Sequence, residues 1–210
     1  MKLMAFSLSL VALLGIASVA NAQLAFDQTD GVPVIYGDTI TAGYTFDVTT
    51  PLTVTELEMY ADFGFQSAVI PVGIWDNSGT LLTSASISTT VPATITPSAN
   101  GGSFFGVTIT PITLTPGTTY TIGAFGDGND TIAVAGTIIA DPAVRYGNSA
   151  VVAAASLTKP YATALSIAAV GPSFKFTTVP EPGSVALLIG MASLGGMMLR
   201  RKRKQAAISH

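Results

Sequence analysis

The chain has 210 residues and a mass of 21.4 kDa, is 49% hydrophobic and 10% charged, and has a mean hydropathy of +0.56, a balance of one ordinary folded domain rather than a disordered tail. The absence of cysteine excludes disulfides, thiolate metal sites and a cysteine nucleophile. Net charge is −3, but five of the nine basic residues crowd at 200–204, which leaves eleven acidic and three basic side chains in residues 23–178, net −8, and argues against nucleic acid as a partner.

At the N-terminus, Met1-Lys2 precedes an apolar run from Leu3 to Val19 and the small-x-small sequence Ala20-Asn21-Ala22. This pattern predicts a signal peptide over residues 1–22, with Ala20 and Ala22 as the small residues that a signal peptidase accepts and Gln23 as the first mature residue. A retained membrane helix is the weaker alternative, because the run falls short of the roughly 20 apolar residues that a span prefers.

Residues 23–178 include 27 Thr and 16 Gly, a composition of strands and turns. Period-two alternation predicts half-buried antiparallel strands over Ile40–Val48, Phe105–Ile109, Tyr120–Ala124 and Phe174–Phe176. Leu52 and Val54 are out of phase with Leu57 and Met59, which predicts a bulge or break near Glu56. Turns are expected at Asp76-Asn77-Ser78-Gly79, Pro116-Gly117 and Asp127-Gly128-Asn129-Asp130, and residues 92–102 read as a long exposed loop. Ala150–Ala155 reads as a strand or an irregular loop in preference to a short helix. Strands separated by turns every ten or so residues predict an all-β fold, an antiparallel jelly-roll-like β-sandwich over residues 23–178. The segments Gly73–Leu82 and Leu114–Tyr120 resemble those of the β-sandwiches of unknown function found in exported bacterial surface proteins, a resemblance that names no ligand.

Little catalytic chemistry is available to such a domain. The single histidine is His210, at the end of the chain. Gly101-Gly102-Ser103-Phe104-Phe105 lacks the closing glycine of a nucleophile elbow and reads as a glycine-rich loop. Glu56 and Glu58 share one strand face about 6.5 to 7 Å apart, near the carboxyl separation of a glycosidase, but two solvent-facing acids on one strand are the expected reading. Asp127, Asn129 and Asp130 offer side-chain oxygens that a hard cation such as calcium can use, and a hairpin turn accounts for them equally. No other cofactor is expected. Trp75 is a candidate for stacking on a glycan, together with the tyrosines at 36, 44, 60, 120, 146 and 161, although core packing is the expectation for each.

Near the C-terminus, Val179-Pro180-Glu181-Pro182 is followed by an uncharged stretch, 183–199, and then by Arg200, Arg201, Lys202, Arg203 and Lys204, with a tail at 205–210. A helix over 183–199 just spans a bilayer, and its basic end fixes the C-terminus on the cytoplasmic side, so that the domain lies outside. The prolines hold a short extended segment above the membrane with Glu181 in the water layer. The order of residues 179–204 resembles the PEP-CTERM sorting signal of Gram-negative bacteria. That resemblance implies processing by an exosortase, a membrane-embedded transpeptidase that recognises the Pro-Glu-Pro motif and detaches the helix and basic tail.

The expectation is therefore a non-enzymatic protein, exported across the inner membrane, transiently anchored there, and delivered to the cell surface or extracellular matrix. The resemblance implies the link to exopolysaccharide, with adhesion or aggregation as the role. A carbohydrate-binding module is the alternative, and a carboxylate-dependent hydrolase built on Glu56 and Glu58 a more remote one.

Overall fold

The computed structural model describes residues 22–35, 38–61, 69–88, 94–126, 131–134, 136–162 and 169–179. Those residues form sixteen strands: β1 (Gln23–Leu24), β2 (Phe26–Thr29), β3 (Val32–Ile35), β4 (Ile40–Val48), β5 (Leu52–Ala61) and β6 (Ile70–Trp75) come first. Next are β7 (Leu81–Ile87), β8 (Thr94–Pro97), β9 (Ser103–Leu114), β10 (Thr119–Gly126), β11 (Thr131–Val134) and β12 (Thr137–Ala140). The last four are β13 (Val144–Ala153), β14 (Tyr161–Ala162), β15 (Ala169–Val170) and β16 (Pro172–Thr178).

Two antiparallel sheets carry most of the chain, in the orders β1-β16-β5-β9-β8 and β14-β13-β4-β10-β6-β7, with small sheets β15-β11-β3 and β12-β2 beside them. The arrangement is consistent with a β-sandwich. Side chains of both large sheets meet in one core. Phe46 of β4 lies 5.2 Å from Phe174 of β16, and Phe26 packs edge-on against Tyr44, Phe46 and Phe174 at 5.0 to 6.1 Å. The buried Tyr44 hydroxyl donates to the Pro172 carbonyl at 2.8 Å and so ties one sheet to the other. Burial pushes its pKa well above the usual tyrosine value.

The expected bulge is present. Glu56 faces Lys175 and Val54 faces Phe176, which leaves Thr55 as an extra residue on β5. The extra residue resets the phase, so that Leu52, Val54, Leu57 and Met59 all reach the core. On the other side of β5 the register also shifts between Val54 and Glu56, where β9 carries Ile109, Thr110 and Pro111 against Thr55. Proline, which has no N–H for the ladder, is suited to such an irregular site.

Two turns form as the sequence indicates. Asp76 accepts from Ser78 Oγ at 2.6 Å and Thr80 N at 2.8 Å, while Gly79 supplies a φ of +94°. After Pro116-Gly117 the chain is closed by Tyr120, whose hydroxyl accepts the Thr115 N–H at 3.0 Å. Residues 92–102 depart from expectation, since Thr94–Pro97 forms β8 on the edge of β9. Only four residues long and surrounded by turn formers, the Thr-Ile-Thr-Pro run acquires its strand character from pairing with β9. Ala150–Ala153 belongs to β13, and the next three residues are irregular.

Candidate functional site

β16 leads directly into the segment singled out at the C-terminus. It lies between β1 and β5, with Phe174 and Phe176 buried in the core and Ser173 and Lys175 directed to the opposite face. Thr178, its last residue, is paired with Leu52, and Val179 follows, 41% exposed. The chain divides there into two compact units, Met1–Thr178 and Val179–His210. Pro180, Glu181, Pro182, residues 183–199 and Arg200–Lys204 lie outside the described residues, as does Ala20; Ala22 is exposed immediately before β1.

The two glutamates are not the solvent-facing pair that the sequence suggested. Glu58 is fully buried, and the Glu56 side chain is 16% exposed. Between them lies Lys175, its Nζ 2.8 Å from Glu58 Oε1 and 3.1 Å from Glu56 Oε2. Threonines of β8 complete the cluster: Thr94 Oγ1 donates to Glu56 Oε2 at 2.7 Å and Thr96 Oγ1 to Glu58 Oε1 at 3.0 Å. β9 intervenes between β8 and β5, and the threonines reach over it because Gly106 stands opposite both Glu58 and Thr94. A Cβ on Gly106 would collide with Thr94 Oγ1 and lie 3.0 Å from Glu58 Oε1.

Glu58 Oε2 is buried without a hydrogen-bond partner. Burial raises the Glu58 pKa above the usual carboxylate value, and the Lys175 ammonium and Thr96 hydroxyl only partly oppose that rise. The Lys175 pKa is raised in turn: its own burial acts to lower it, but the two carboxylates together outweigh that effect. The cluster links β5, β8 and β16 through hydrogen bonds and ion pairs, and the lysine between the carboxylates takes the place a substrate would need in a glycosidase. Lys175 is the member that sequence reasoning missed. Alternation placed it opposite the core-facing Phe174 and Phe176, but nothing local reveals that β5 is the neighbouring strand.

Trp75 is 4% exposed and therefore presents no stacking platform. The chain following β13 crosses the sheet beside it. Thr158 N donates to Thr41 Oγ1, Pro160 lies over Gly123, Leu157 and the Trp75 ring both approach Gly73, and Lys159 Nζ donates to the Asp76 carbonyl at 2.8 Å. Gly123 and Gly73, paired across β10 and β6, leave room for this crossing, since a Cβ on either would press on Pro160 or Leu157. Among the tyrosines, 44, 60 and 120 are buried, whereas Tyr161 is 67% exposed, a correction to its assignment to the core; Tyr36 lies outside the described residues.

Asp127, Asn129 and Asp130 lie outside the described residues. The strands on either side of them, β10 and β11, pair with different neighbours and belong to different sheets. Among the described residues no three His, Cys, Asp or Glu side chains converge as a metal site would require.

A family model described as the PEP-CTERM protein-sorting motif matches residues 178–204. No curated protein and no solved structure matches the chain. The matched stretch begins on the last residue of β16, so the ladder and the sorting motif meet without a spacer.

Proposed function

From the PEP-CTERM motif at residues 178–204, which marks an exported protein sorted by an exosortase, we propose that this chain is a non-enzymatic surface or matrix protein. Its jelly-roll-like β-sandwich is the delivered part, and it associates with exopolysaccharide in adhesion or aggregation. The motif is the observation that carries the reading. It requires transit through the inner membrane with the domain outside, followed by processing near Pro180-Glu181-Pro182.

Support for a passive, displayed domain comes from two placements. The carboxylates nearest to a catalytic arrangement are occupied by Lys175, and a buried Trp75 withdraws the main feature favouring a carbohydrate-binding module. Association with polysaccharide would then use many weak contacts from exposed threonines and serines. Replacing Pro180, Glu181 and Pro182 together by alanine, followed by cell fractionation and sedimentation with isolated exopolysaccharide, tests this reading. The expected outcome is accumulation in the inner-membrane fraction and loss from the polysaccharide pellet. Undiminished arrival in the pellet would contradict it.

A further inference from the structure

We infer that the end of the sandwich from which both termini leave is the surface that rests on the phospholipid headgroup layer while the chain is anchored; this rests on residues 183–199 acting as the membrane anchor of the sorting signal. Three observations bear on it.

The first is the direction of the terminal strands. β1 pairs antiparallel with β16 through Gln23 opposite Phe176 and Leu24 opposite Lys175. The chain before Gln23 therefore departs toward the same end as the chain after Thr178. A signal peptide before Gln23 and an anchor after Val179 leave the domain side by side, about one strand spacing of roughly 4.8 Å apart at the ladder.

The second is the length of the connection. Thr178 is still paired with Leu52, and the uncharged stretch begins at Gly183, five residues later. Fully extended, five residues reach at most about 18 Å. Headgroups occupy about 5 to 7 Å on each side of the hydrocarbon, so roughly 12 Å remains between them and the end of β16. The strand cannot readily lengthen the tether by peeling away. It is an inner strand, Phe174 and Phe176 are fully buried, and Lys175 is held by Glu56 and Glu58.

The third is the chemistry of that end. The β4–β5 connection, residues 49–51, and the β9–β10 connection, residues 115–118, carry no charged side chain, although residues 23–178 have a net charge of −8. Of the nearby charges, Asp47 accepts from Thr119 Oγ1 and stands opposite Arg145 across the ladder. The other two connections at this end, residues 76–80 and 141–143, add Asp76 and Asp141, while Lys159 reaches the Asp76 carbonyl. With three acids against two bases, net −1, this end approaches anionic headgroups with less repulsion than the domain as a whole. Thr50 is exposed there, whereas Thr39 is exposed at the opposite end of β4, about 30 Å away at the usual rise per residue.

The absence of native cysteine makes the test direct. The full chain, isolated from cells lacking exosortase, is prepared as three variants, Thr50→Cys, Thr39→Cys and Leu188→Cys. Each receives a nitroxide and is reconstituted into vesicles that carry a nickel-chelating headgroup lipid. Relaxation by the headgroup nickel is expected to be several-fold stronger at position 50 than at position 39, while position 188 responds to oxygen dissolved in the hydrocarbon. Equal relaxation at 50 and 39, or stronger relaxation at 39, with position 188 inside the bilayer, overturns the orientation and leaves the anchor standing. A position 188 that does not enter the hydrocarbon overturns both.

Discussion

A buried carboxylate that shares a lysine and leaves one oxygen without a partner links folding to pH in a direction opposite to that of most acids. Burial holds the Glu58 pKa above the usual 4.5, so the native state binds this proton more tightly than the unfolded chain does. The stabilisation from Glu58 is therefore complete below 4.5 and is lost as pH rises through the raised value. Asp76 behaves conversely. Ser78 and the backbone of its turn lower its pKa, so its contribution is present above the usual 3.8 and disappears as pH falls through the lowered value. The Lys175 contribution is lost only under alkaline conditions, as pH rises through a value above 10.5. Glu58→Gln should thus remove one component of the pH dependence. Denaturation midpoints measured from pH 4.5 to neutrality are expected to show a wild-type deficit, relative to the variant, that shrinks on acidification; parallel profiles would contradict this. Gly106→Ala tests the same cluster sterically. Its Cβ intrudes between Thr94 and Glu58, with an expected cost of about 1–3 kcal/mol in urea unfolding.

At the scale of elements, the long strands were legible because each carries its own period. β4 and β10 appear where alternation placed them, and the phase break on β5 identified a bulge now located at Thr55. Less legible were features that depend on a neighbour. β8 is a short edge strand, and the burial of Glu58 depends on strands remote in sequence, with Thr96 lying 38 residues away along the chain. Trp75 belongs to the same class. Its position at the end of β6 was readable from the sequence, whereas the crossing by Leu157 and its neighbours was not. With Trp75 nearly buried, Trp75→Ala is expected to cost about 3–5 kcal/mol of stability. Polysaccharide binding by the folded variant, measured below its unfolding transition, is expected to remain unchanged. Selective loss of binding with stability preserved would restore the glycan-stacking reading.

For the whole molecule, the sequence is most informative at its C-terminus, where proline stiffness, an apolar stretch and a basic cluster each act locally. The role of the domain is much less legible, because display and adhesion require no fixed set of reacting groups. What the fold adds is the junction. The sorting motif begins on the final residue of a strand locked into the sheet, so the folded ladder and the sorting signal adjoin. The most direct measurement is the intact mass of the protein recovered from cells with and without exosortase. The account predicts that residues beyond the Pro-Glu-Pro motif are lost only where the enzyme is present. Retention of residues 183–210 in both strains would contradict it.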